Sequence, residues 1–265
     1  MLSIIPAVLC VGGAGLLIAV FLSFFGNHFR VEVDEREEKI LEALPGNNCG
    51  GCGYPGCSGL AAAIVKGEAP VNGCPVGGGR VAKEVGLIMG IDAGKELHMV
   101  AHVKCRGTCD KSGTDYEYYG VKDCRMLAFT PGGGPKSCDY GCMGYGSCKD
   151  ICPFDAISIL DGVAVIDPDK CKACSKCLEV CPKGIIEMIP YAAGYMVDCS
   201  SKDKGSDVMK VCRMGCIGCG ICQKTCPVGA ALVSDFLAHI DQEKCVGCGA
   251  CAEKCPKKII TKIRA

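Results

Sequence analysis

Hydrophobic and polar positions divide the chain into stretches with different periods. From Ile4 to Phe25 the residues are apolar or small, broken only by Pro6 and Ser23, and no Asp, Glu, Lys or Arg precedes Arg30. At 1.5 Å per residue these 22 positions reach roughly 33 Å, against a hydrocarbon core of roughly 30 Å, and so predict a transmembrane helix. A secretory signal would need a basic leader, a shorter apolar core and a small-residue cleavage site, and Ala7-Val8-Leu9 does not suit a lipoprotein cysteine at Cys10. Cys10 reads instead as a small apolar residue of the span. The polar stretch Glu35 to Leu44 predicts a helix stopped by Pro45-Gly46, and Gly59 to Lys66 a short Ala-rich one. Later the period changes to two. Ala156 to Leu160 and Val163 to Ile166 flank Asp161-Gly162, while Ala231 to Val233 and Leu237 to Ile240 flank Ser234-Asp235, and both patterns predict β-hairpins.

Cysteines surround these hairpins in a repeat. Cys171, Cys174, Cys177 and Cys181-Pro182 return 74 residues later as Cys245, Cys248, Cys251 and Cys255-Pro256. Cys142, Cys148 and Cys152-Pro153 return as Cys216, Cys222 and Cys226-Pro227. The spacing C-x2-C-x2-C-x3-C-P is that of bacterial ferredoxins, where the fourth cysteine of one run ligates the other run's cluster. Two such pairs predict two tandem electron-carrying modules. Cross-ligation then groups Cys216, Cys219, Cys222 and Cys255, and separately Cys245, Cys248, Cys251 and Cys226. In the first module it groups Cys171, Cys174, Cys177 and Cys152. The remaining run is irregular: Tyr145 stands where the second module has Cys219. Cys138, which aligns with Cys212, is the nearest replacement, to join Cys142, Cys148 and Cys181; Cys212 is left without a role.

There are 26 cysteines in 265 residues, a density that needs a chemical reason. A disulfide scaffold would make such closely spaced cysteines redundant, and zinc knuckles lack the third close cysteine and the Cys-Pro, so iron–sulfur chemistry is the reading that fits. Charge balances at zero, with 29 basic and 29 acidic residues, and no nucleic-acid partner is expected. No G-x-G-x-x-G stands between a strand and a helix, so no hydride-transfer site is expected; Gly132-Gly133-Gly134-Pro135 lacks a following Lys-Ser/Thr and reads as a linker. His28, His98, His102 and His239 read as ordinary surface or core residues. Few charges sit within the cysteine runs, which leaves backbone amides as the expected tuners of the sulfurs.

Between the apolar run and the repeat lies a further set, Cys49, Cys52, Cys57 and Cys74, spaced C-x2-C-x4-C-x16-C among glycines that permit a tight wrap. Four thiolates are what one more cubane requires. The order of apolar anchor, four-cysteine domain and tandem ferredoxin modules resembles the B subunits of the Rnf electron-transport complexes over essentially the whole chain. The resemblance implies part of a membrane-bound, ion-translocating ferredoxin:NAD+ oxidoreductase. There, such a chain would accept electrons from reduced soluble ferredoxin and pass them toward the A, C, D, E and G subunits. The resemblance carries over the ligands Cys49 to Cys74, Cys171 to Cys181 and the eight cysteines from Cys216 to Cys255, and fails at Tyr145. Two other readings compete. A polyferredoxin subunit of a membrane hydrogenase or formate dehydrogenase would not be expected to join an anchor to the four-cysteine domain. A self-sufficient reductase would need an open iron, which the complete thiolate sets do not leave outside the Tyr145 site.

The expected architecture is α+β: a transmembrane anchor (1–29), a small [4Fe-4S] domain (30–82), a connecting segment with extra cysteines (83–135) and dicluster ferredoxin modules at 136–190 and 191–265. Five [4Fe-4S] clusters account for 20 cysteines. Cys105, Cys109 and Cys124, with a fourth thiolate from Cys138, Cys199 or Cys212, offer a sixth, against the plainer reading of free or buried thiols. Low-potential clusters are assembled in the cytosol, which places residues 30–265 on the cytoplasmic side of the inner membrane, on a single-pass anchor. The mixed charges of Arg30 to Lys39 do not decide the orientation.

Overall fold

The computed structural model describes residues 4–28, 34–94 and 98–263. The apolar run forms α1 (Ile4–His28). Leu16, Leu17, Ile18, Val20, Phe21, Leu22 and Phe24 on it are all exposed. The side chains of Cys10 and His28 lie outside the described residues. The expected helix is therefore present, but the expected span is not found: among the described residues, no helix is long and apolar enough to cross a membrane.

Asp34 begins the small domain by capping α2 (Glu35–Ala43): its Oδ1 accepts the Arg36 N–H at 2.9 Å, and three glutamates follow at the positive end of the helix dipole. The helix stops at Leu44, which Pro45 holds in extended backbone. The helices α3 (Gly56–Val65) and α4 (Gly78–Met89) pack against α2. Ile40, Leu60, Ile64, Val81 and Val85 fill the space between them, each worth about 1.5–3 kcal/mol of burial. Because α4 belongs to this core, the domain extends past the boundary expected at residue 82, to the left-handed Gly90 that ends the helix.

The first module begins with β1 (Met99–Val103), well before residue 136. There follow α5 (Cys124–Leu127), α6 (Ser147–Asp150), the hairpin β2 (Ile157–Leu160) and β3 (Val163–Ile166), α7 (Lys176–Val180) and β4 (Ile186–Pro190). The second module repeats this plan as β5 (Tyr195–Val197), α8 (Gly205–Val211), α9 (Ile221–Thr225), β6 (Ala231–Ser234), β7 (Leu237–Ile240), α10 (Ala250–Lys254) and β8 (Ile260–Lys262). Each module thus has two antiparallel pairs where the hairpin pattern alone predicts one: β1 with β4 and β2 with β3, then β5 with β8 and β6 with β7. The second hairpin turns at Asp235-Phe236, one residue later than expected, with both residues at positive φ like Asp161-Gly162.

Register reveals a second repeat. Val103 pairs with Ile186 and Val197 with Ile260, so Cys105 and Cys199, two residues on, occupy equivalent places. The stretch between Cys105 and Cys138 is an insertion within the first module rather than a connection between domains. It reaches across to the second module: Gly113 N–H donates to Val211 O, Arg213 N–H donates to Lys111 O, and Ser112 bridges Cys212. His102 Nε2 lies 2.7 Å from Asp198 Oδ1, a further tie between modules.

Candidate metal centres

In the small domain Cys74 faces Cys57 and Cys52, and burial foremost raises its pKa. Asn48 Oδ1 accepts the Cys57 N–H at 2.8 Å, fixing the loop, and Gly77 N–H donates to Cys74 Sγ at 3.3 Å. The loop lies directly on the first module. A Cβ added to Gly51 would stand 2.9 Å from the Cys174 backbone, so only glycine permits this approach.

The second module brings together Cys216, Cys219, Cys222 and Cys255 around one cavity. Cys251 neighbours both Cys226 and Cys245, with Cys248 exposed on the loop between Cys245 and Cys251. In the first module Cys152, Cys171, Cys174 and Cys177 line another cavity. In each case the last cysteine of one run joins the other run.

The irregular run departs from expectation. Cys142, Cys148 and Cys181 line a cavity whose fourth thiol is Cys124. Cys138, expected there, lines a different cavity with Cys105, Cys199 and Cys212. The reason is local. Asp123 caps α5, the Cys124 N–H donates to Ser147 Oγ at 2.8 Å, and Ser147 Oγ donates to Asp123 at 2.8 Å. This network fastens Cys124 to the start of α6, beside Cys148. The second module has Ile221 in place of Ser147, so it offers no such anchor. Tyr145 fills the position of the missing cysteine, with its ring 6.1 Å from that of Tyr118. Nor do Cys105, Cys109 and Cys124 form the expected group. Cys109 is exposed on the β2–β3 turn, its N–H donating to Asp161 O.

Sequence reasoning gave Cys199 and Cys212 no definite site, although a signal exists. Val103-x-Cys105 recurs as Val197-x-Cys199, and Cys138-x3-Cys142 as Cys212-x3-Cys216.

The thiol sets suit cubanes. Ala101 N–H donates to Cys171 Sγ at 3.4 Å, Ala164 N–H to Cys142 Sγ at 3.4 Å and Ala230 N–H to Cys226 Sγ at 3.2 Å, bonds that favour thiolate. Burial foremost, with the neighbouring cysteines adding to it, opposes this, pushing Cys148 and Cys177 up to about 12 and Cys222 to about 11. A cationic iron core held among the sulfurs would resolve the conflict, since ligation requires thiolate. Among the described residues, no three His, Cys, Asp or Glu side chains converge enough to share one ion. Four irons, each taking one thiolate, match sulfurs set around a space.

Known proteins agree with this chemistry. A family described as an Fe-S cluster matches residues 44–76, and two 4Fe-4S dicluster domain families match residues 170–230 and 215–260. The match at 170–230 straddles the modules and leaves the run with Tyr145 uncovered. The B subunit of the Na(+)-translocating ferredoxin:NAD(+) oxidoreductase complex of Acetobacterium woodii is 45% identical over 88% of this chain and 70% of its own length. The B subunit of the ion-translocating oxidoreductase complex of Methanosarcina acetivorans is 41% identical over 91% of both chains. The B subunit of the proton-translocating ferredoxin:NAD(+) oxidoreductase complex of Clostridium ljungdahlii is 39% identical over 86% of this chain and 81% of its own. With identity at this level over most of both partners, the chain belongs to the family of B subunits of ion-translocating oxidoreductase complexes.

Proposed function

We propose that this chain is the iron–sulfur electron-transfer subunit of an ion-translocating ferredoxin:NAD+ oxidoreductase complex, and that it accepts electrons from reduced soluble ferredoxin. The observation that carries the reading is the contiguity of the thiol sets. Gly51 seats the small domain on Cys174, Cys142 N–H donates to Cys105 Sγ at 3.4 Å, and Cys216 N–H donates to Cys199 Sγ at 3.3 Å. When bound, [4Fe-4S] clusters supply reversible one-electron centres. Cys49, Cys52, Cys57 and Cys74 would hold one; Cys152, Cys171, Cys174 and Cys177 a second; Cys124, Cys142, Cys148 and Cys181 a third. In the second module Cys216, Cys219, Cys222 and Cys255 would hold a fourth, and Cys226, Cys245, Cys248 and Cys251 a fifth. The chain shields them from water, supplies amide dipoles and keeps neighbouring sites close. Hydride chemistry belongs to another subunit, since the dinucleotide fingerprint is missing here.

The second module is the side that receives the donor. Cys219 and Cys248 are exposed there, while Cys174 and Cys177 of the first module are buried. Residues 191–265 carry eleven Lys and Arg against seven Asp and Glu in a chain that is neutral as a whole. Such an excess steers a negatively charged partner, an effect of about tenfold or more in association rate at low salt. Lys224→Glu with Lys254→Glu, both exposed on the adjoining helices α9 and α10, should therefore raise the KM for ferredoxin about tenfold in dilute buffer. The deficit should shrink as salt is added. An unchanged KM at low salt would place the donor elsewhere.

The relatives' membership of ion-translocating complexes and the exposed apolar side chains of α1 support association with the membrane, with the bulk of the chain on the cytoplasmic side. Protease added to sealed right-side-out cells should spare the ferredoxin modules, and the same protease on inverted vesicles should remove them. Digestion from outside would reverse the orientation.

A further inference from the structure

We infer that Cys105, Cys138, Cys199 and Cys212 hold a sixth [4Fe-4S] cluster at the junction of the two modules. All four line one cavity. Their origin is symmetric: register makes Cys105 equivalent to Cys199, and the 74-residue repeat makes Cys138 equivalent to Cys212. Each module thus contributes the same pair. The hydrogen bonds repeat as well. Cys142 N–H donates to Cys105 Sγ at 3.4 Å and Cys216 N–H donates to Cys199 Sγ at 3.3 Å, with Cys142 and Cys216 themselves at equivalent places. These are the amide-to-sulfur bonds that mark the regular sites.

Size and charge fit the same group. Counting its open mouth, the cavity holds about 380 Å³, beside about 350 and 340 Å³ at the sets containing Cys219 and Cys174. A zinc ion would need its four sulfurs drawn to about 2.3 Å from one centre, and no such convergence exists among the described residues. Lys136 also lines the cavity, its buried ammonium donating to Gly107 O and Cys142 O at 2.6 Å. That charge compensates a dianionic cluster. Cys124 completes the set with Cys142, Cys148 and Cys181, which frees Cys138 for this one.

The inference rests on the iron–sulfur reading of the chain, and the test separates the two. Full-length protein purified anaerobically should carry about 24 irons and as many acid-labile sulfides, rather than about 20. Cys138→Ala and Cys212→Ala should each lose about four irons, and the double variant also about four, because both residues serve one cluster. Cys109→Ala should lose none. Cys248→Ala reports on a regular site and should lose iron whether or not the junction binds a cluster. A wild-type count of about 20 irons, or one zinc beside them, would overturn the sixth site. So would additive losses in the double variant. Should the alanine variants not accumulate, the wild-type iron and sulfide count decides alone.

Discussion

Replacing Cys174 by serine should all but abolish ferredoxin-driven NAD+ reduction by the assembled complex. It should leave NADH oxidation by an artificial acceptor at the partner subunit largely intact. Cys174 is buried, lines a cavity with Cys152, Cys171 and Cys177, and has the small domain's Gly51 against its backbone. Loss of an outer-shell partner alone costs about 10–100-fold in metal affinity or activity at metal sites, and loss of a ligand costs more. The position matters as much as the ligand. This set lies between the small domain and the rest of the first module, so a chain used in series has no detour around it. Equal loss of both activities would show a defect of assembly instead, and retention of both would mean that the small domain is not on the route.

Lys136→Met should destabilise the first module by about 3 kcal/mol or more, since removing a buried charged donor strands its acceptors. The Lys136 ammonium donates to Gly107 O and Cys142 O at 2.6 Å and to Gly162 O at 3.4 Å, tying the insertion, the irregular run and the β2–β3 turn together. The repeat supplies a control. Lys210, its equivalent, is exposed and pairs with the exposed Asp207, so Lys210→Met should leave stability unchanged within error. Anaerobic denaturation of both variants decides between them. A matching loss at Lys210 would deny that the buried lysine acts as a hub.

Much of this was legible because its signals are local. Asp161-Gly162 between alternating β-formers announces a hairpin, and C-x2-C-x2-C-x3-C announces that the last thiol of one run gathers with the thiols of the other. Other features depend on partners far apart in the chain. Nothing near Met99–Val103 predicts that it pairs with Ile186–Pro190, because an antiparallel pair closed over such a distance carries no turn signature. Cys124 was illegible for a related reason. Its place is set by the Asp123–Ser147 network across an insertion, and no spacing rule encodes a four-residue helix held by a cap. Cys138 misled through proximity: it is near Cys142 in sequence, yet it faces Cys199 and Cys212 from the second module.

The numbering of the thiol sets also fixes a timetable for synthesis. The small domain has all its thiols once Cys74 is made, and the first module's two sets are complete at Cys177 and Cys181. The set shared between modules waits for Cys212, and those of the second module for Cys251 and Cys255. Cofactor delivery can therefore proceed from the amino-terminal side while the ribosome is still at work. A chain stalled after Pro190 would own three finished sets together with Cys105 and Cys138 as an open pair, a ready point for oxidation until their counterparts emerge.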